Sequence, residues 1–176
     1  MMKTTMMKCW MSVMVAMGML WSCAAAENLG DMLREAGWQK MLGTWVDAET
    51  KGEKIMVRYG WKYKDHVIQV TSKMGELQST GFIGRNGKTG EVYQAGVNSM
   101  GGASLGQWNE DGGDAILELG YVSPEGEEGG MRIRHHLQDD DTMVVTVSGE
   151  EGEEMTVTLV RKKAPKKAKK AKPEAK

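Results

Sequence analysis

The adjacent imidazoles of His135 and His136 are the side chains of this chain best suited by type to proton transfer or metal ligation. Their spacing works against a shared site, because neighbouring residues on a strand point to opposite faces. His135 falls in phase with Met131, Ile133 and Leu137, an inward set, whereas His136 falls with Arg132 and Arg134, an outward one. His66 opens a strand pattern and is expected to be exposed. The acidic runs EGEEGG, DDD and EEGEE carry charge enough for a cation. They lack the alternating ligand positions and distal Glu of an EF-hand loop, and read as solubilising hairpin turns. No nucleophile elbow at a strand-to-helix turn, no dinucleotide-binding loop and no P-loop is legible. The glycine-rich stretch Met100 to Gly106 lies between strand patterns, where it marks a bend or a close backbone approach rather than a phosphate cradle. The expectation is no catalytic residue, no metal and no enzyme.

The rest of the chain defines what positions these side chains. With 176 residues and no sustained shift in apolar content, a single domain is expected, large enough to build a core without staples. Residues 1–26 read as an export signal. Lys3 and Lys8 form a basic start, CWMSVMVAMGMLWS an apolar centre too short to span a bilayer comfortably, and Ala24 to Ala26 a small-residue cleavage site. Processing as a lipoprotein at Cys23, after LWS, is the alternative, and an uncleaved anchor a third. The expected location is periplasmic or secreted. Cys9 and Cys23 are the only cysteines. Cys23 leaves with the leader or carries lipid, so the domain has no thiol for disulfide, nucleophile or metal chemistry. Charge is divided: residues 161–176 hold nine basic side chains and one acid, and residues 27–160 twelve basic against twenty-three acidic. The domain and the tail are two electrostatic objects of opposite sign.

Residues 27–42 contain a short helix. Asn28 caps it, Leu29, Met32, Leu33 and Ala36 make one apolar stripe, Gly37 weakens it and Gly43 terminates it. From Gly43 the period becomes two. Ten alternating runs follow at roughly 11-residue spacing, separated by glycine-rich or acidic turns such as the Asn86-Gly87 hairpin signal. The fold class expected is all-β: an antiparallel up-and-down barrel of about 8–10 strands over residues 43–161, with the short helix covering one end. Trp45, two residues after Gly43, is expected to lie across the barrel floor.

Gly43-Thr44-Trp45 after a short helix, opening an antiparallel meander, resembles the first signature of the lipocalins and the wider calycin superfamily. The resemblance covers about Asn28 to Arg161. It implies that an arginine late in the chain, here Arg161, meets the tryptophan. No TDY-like middle motif is present, and ten strands sit nearer to fatty-acid-binding or nitrobindin-type calycins than to eight-stranded members. The resemblance further implies an interior that binds a small apolar or amphipathic molecule. In nitrobindin-like members an inward histidine ligates haem, which makes His135 the residue to test for that cofactor.

The inward phase of the strands supplies Tyr59, Trp61, Tyr121, Met131, Ile133 and His135 as ligand-lining candidates, with Tyr93 and Trp108 left open because their strands do not alternate cleanly. The same residues would equally fill a solid barrel. Residues 162–176 form a tail that cannot build a core, and Lys162, Lys163, Lys166, Lys167, Lys169, Lys170 and Lys172 are candidates for contact with an anionic envelope surface. Nucleic acid is not expected as a partner of an exported chain.

Overall fold

The computed structural model describes residues 28–163. The expected leader, and Lys166, Lys167, Lys169, Lys170 and Lys172, lie outside the described residues.

Ten antiparallel strands close into one barrel. They are β1 (Gly43–Asp47), β2 (Ile55–Tyr63), β3 (Val67–Met74), β4 (Leu77–Arg85), β5 (Val92–Asn98), β6 (Ala103–Asp111), β7 (Asp114–Val122), β8 (Glu128–Leu137), β9 (Thr142–Gly149) and β10 (Glu154–Arg161). Each strand pairs with its chain neighbours, and β1 pairs with β10 to complete the ring, with Trp45 opposite Arg161. Closure leaves no edge strand to template aggregation. The ring sets one face of every strand inward: Tyr59, Ile68, Val70, Ile83, Leu117, His135, Met143 and Leu159 are all buried.

The N-terminal segment runs in two pieces rather than one helix. An α-helix, α1 (Leu29–Glu35), is followed by a 3₁₀ turn over Trp38–Met41. Gly37 between them sits at φ 75°, a left-handed conformation that ends the first piece before Gly43 is reached. Asn28 caps α1 through its side-chain oxygen, which accepts from Asp31 N at 2.9 Å. Helix and turn together cover one mouth of the barrel. The opposite mouth is uncovered, and side chains near it on the inward phase, such as Met74, Tyr121 and Met155, are exposed.

Two departures from strict alternation matter below. A bulge between Trp61 and Tyr63 re-aims Tyr63 outward, opposite Val67, and leaves it 64% exposed. β8 begins at Glu128, earlier than hydropathy alone suggests, because Glu128, Gly129 and Gly130 pair with Val122, Tyr121 and Gly120. Of the acidic residues there Glu128 is strand, whereas Glu125 and Glu127 stay in the β7–β8 turn.

Candidate functional site at the lidded end

The lidded mouth is organised around Trp45, which is 0% exposed. Its indole Nε1 donates to the carbonyl of Met41 at 2.8 Å, tying the floor of the barrel to the 3₁₀ turn. The Arg161 guanidinium carbon lies 4.3 Å from the indole centroid on one face. The same guanidinium donates to three backbone carbonyls, those of Leu42 (2.8 Å), Asp140 (2.9 Å) and Lys40. Arg161 therefore satisfies carbonyls that the short 3₁₀ turn leaves without partners. Gly43 is required beside it: its φ is 137°, and a Cβ there would stand 2.5 Å from Arg161 Nη1. The three residues Gly43, Trp45 and Arg161 thus meet at one mouth of the barrel.

The apolar stripe of α1 lies over the same mouth. Gly30 N donates to the carbonyl of Asp65 at 2.9 Å, and a Cβ on Gly30 would meet Asp65 Oδ1 at 2.4 Å, so the helix approaches the β2–β3 turn more closely than any other residue would permit. Between the helix and the barrel wall is a cavity of about 160 Å³. Leu29, Met32, Leu33 and Trp38 line it from the lid, and Ile83 and Trp108 are among the residues lining it from the barrel. Asn109 and Glu110 stand at its polar side. Its volume is comparable to an apolar cavity of about 150 Å³ that holds a benzene-sized molecule.

Deeper in the barrel His135 is 4% exposed. Its Nε2 is 3.3 Å from the Tyr59 hydroxyl, and the Trp108 ring packs 5.0 Å away, centroid to centroid. Burial pushes the His135 pKa down to about 4, partly opposed by the nearby carbonyls of Ala115 and Ile133, so the ring is neutral at pH 7. Burial likewise raises the Tyr59 pKa. Three polar atoms of the interior, His135 Nδ1, Trp108 Nε1 and Gln94 Oε1, are buried without a partner of normal hydrogen-bond geometry. The inner row therefore offers an uncharged polar lining beyond an apolar cleft.

These positions do not fit haem. The Nε2 of His135 is engaged by Tyr59, the ring is packed against Trp108, and the adjoining cavity of about 160 Å³ has room for a benzene-sized molecule but not for a macrocycle. No group of three His, Cys, Asp or Glu side chains that could hold a metal ion occurs among the described residues. His136 is on the outer face, 2.7 Å from Asp114 through Nδ1, within an exposed ladder of Arg132, Arg134, Asp111 and Glu118. Gly102 to Gly106 has G-x-S-x-G spacing, a pattern that serves acyl transfer at a strand-to-helix turn. Here Ser104 lies within β6, paired with Gly96 and Tyr121, and the chain continues as strand, so no nucleophile elbow is formed.

Of the six ligand-lining candidates, the structure brings Tyr59 and His135 together. Trp61 packs, half-buried, against the core. Met131 and Ile133 are half-buried, and Tyr121 lies toward the uncovered mouth, across Gly129. None of the six borders the apolar cavity. Trp108 does, on the inward phase, whereas Tyr93 faces outward and is exposed. The lid residues Met32 and Leu33 are the part of the site that strand phase could not supply; their helical stripe was the signal available. A larger cavity of about 450 Å³ lies at β2–β5, and most of its lining is polar, with Thr71, Lys73, Gln78 and Thr80 on the outward phase and Ser72, Ser79 and Asn98 on the inward one. Lys162 and Lys163 are exposed where β10 ends. Among the described residues no helix is long and apolar enough to cross a membrane. No protein-family model matches the chain, and no curated protein matches it either.

Proposed function

We propose that this protein holds a small apolar or amphipathic molecule in the cleft between its N-terminal lid and the barrel, and that it does so after export. A closed barrel is compatible with ligand binding, and the observation that carries this reading is the cavity of about 160 Å³ walled by Leu29, Met32, Leu33, Trp38, Ile83 and Trp108. Its walls are apolar, and burial of one aromatic ring or a short alkyl chain there is favoured by about 25 cal/mol for each Å² removed from water. A polar end of the ligand would rest by Asn109 and Glu110. The lid is the natural gate: α1 is seven residues long and too short to be stable except by packing, so it opens more readily than the barrel, at the cost of its contacts with Asp65. The reading is tested by native mass spectrometry of protein recovered from cells. A retained small-molecule adduct, lost in Ala36→Trp, is expected, because Ala36 is an exposed residue bordering the cavity and an indole there blocks it. Identical spectra for both proteins would reject it.

A further inference from the structure

The closed barrel separates charge along its axis. Loops at the uncovered mouth, residues 48–54, 75–76, 99–102, 123–127 and 150–153, carry eight acidic side chains and two lysines. Asp47, Glu128 and Glu154, at strand ends, add to the same rim. At the lidded mouth several acids are paired with cations: Asp140 is 2.6 Å from Lys40 Nζ, Asp141 is 3.3 Å from both Arg161 and Lys163, and Asp65 and Asp31 both pair with Arg34, while Glu91, Glu110 and Asp139 add exposed acid there. β10 ends at this mouth, so Lys162 and Lys163 leave the barrel from the lidded side, and the lysine-rich sequence of residues 164–176 follows them in the chain. The acidic rim thus stands at the far end of the barrel from Lys162 and Lys163.

The lidded mouth also presents Lys62, Tyr63 and Lys64, all exposed. The bulge in β2 is what turns Tyr63 out of the barrel, and its ring stands in solvent between two lysines. An aromatic side chain with an apolar body and a polar tip, flanked by cations, is suited to the headgroup level of a lipid bilayer. Lys88 is exposed in the β4–β5 turn at the same mouth. Each basic side chain near an anionic leaflet strengthens attachment, and the acidic rim is repelled by it.

We propose that this protein seats its lidded end on an anionic lipid bilayer. The Lys62-Tyr63-Lys64 turn enters the headgroup layer, the lysines from Lys162 onward supply attraction, and the acidic rim points away. This orientation turns the lid and the apolar cleft toward the bilayer, where an apolar molecule would be collected or delivered. The bilayer is favoured over a soluble polyanion because a polyanion offers nothing to the outward ring of Tyr63. The seating does not depend on the cleft binding a ligand.

The test uses protein as recovered from cells, co-sedimented with phosphatidylcholine vesicles and with phosphatidylglycerol–phosphatidylcholine vesicles. Binding is expected only to the anionic vesicles, weakening as salt rises. A chain ending at Lys163 should bind at least about tenfold more weakly, and Lys62→Glu with Lys64→Glu should weaken binding further. Hydrogen exchange on the vesicles should slow in residues 62–66 and be unchanged in residues 150–153. Equal binding to both vesicle types, equal binding by the shortened chain, or slowing at residues 150–153 would overturn the proposal. So would slowing of residues 62–66 by dextran sulfate equal to that by vesicles, which would make the partner a soluble polyanion. A cleft that proves unable to bind ligand leaves these outcomes unchanged.

Discussion

Replacing Arg161 by Met tests how the barrel mouth is held. Met keeps an apolar stem of similar reach against Trp45 and removes the planar charge. The change loses the cation at 4.3 Å from the indole centroid, worth about 0.5–2 kcal/mol. It also loses three charge-assisted hydrogen bonds, to the carbonyls of Leu42, Asp140 and Lys40. Bonds of that kind contribute about 1.5–3 kcal/mol each when buried. The Arg161 side chain is 23% exposed and the freed carbonyls can take up water, so the sum is not realised in full. A net loss of about 3 kcal/mol is expected, which for a domain of this size lowers Tm by roughly 10 °C. Urea unfolding followed by near-ultraviolet circular dichroism measures it, since Trp45 is a reporter within the site. Arg161→Lys, which keeps charge but not the three-way fork, should recover only part of the loss. A loss below about 1 kcal/mol for Arg161→Met would make the guanidinium a bystander at the mouth.

Other outcomes follow from the interior. His135, neutral and held at about 4 when folded, takes up a proton on unfolding below its ordinary value of 6.5. Stability should therefore fall as pH drops from 6.5 to 4, by about 3 kcal/mol at the lower end, and His135→Phe should flatten that limb in pH-dependent urea titrations. Asp47 acts in a different window. The Thr50 hydroxyl, then the backbone N–H groups of Ile55, Thr50 and Gly52, hold its carboxyl at about 2, so its contribution is present above 3.8 and is lost as pH falls through 2. Asp47→Asn should lower stability at neutral pH and remove that lower acid limb. Gly43→Ala should cost more than about 1 kcal/mol in the same assay, from left-handed strain and from displacement of Arg161. Gln94→Met replaces an unpartnered buried carbonyl oxygen by thioether and should be neutral or stabilising by about 1 kcal/mol; clear destabilisation would show that the oxygen has a partner in solution.

Much of this architecture was legible because barrel closure depends on a period of two, which survives in single residues. Tyr59, Trp61, Tyr121, Met131, Ile133 and His135 all sit on the inward phase of their strands. The ring closed with ten strands, at the upper end of the 8–10 expected. Phase fails where the chain departs from it. The bulge in β2 inverts Tyr63, and the small residues Ser104 and Gly106, which share the phase of Trp108 in β6, hide its inward direction. Gly37 looked like a weak point in one helix and is a break between two pieces, because a left-handed residue cannot continue an α-helix. The cleft itself was not legible. It arises where the stripe of α1 fails to fill the mouth formed by β4, β5, β6 and β7, and the gap depends on side chains from elements distant in sequence.

Whether the apolar cleft beneath the lid accepts a small apolar molecule is read out at named positions by methionine methyl NMR. Met32 and Met41 border the cleft, whereas Met74 and Met155 stand at the uncovered mouth. Titration with toluene should shift the methyl signals of Met32 and Met41 to saturation and leave those of Met74 and Met155 in place. No saturable shift at Met32 and Met41, or shifts confined to Met74 and Met155, would show that the cleft does not take up such a molecule.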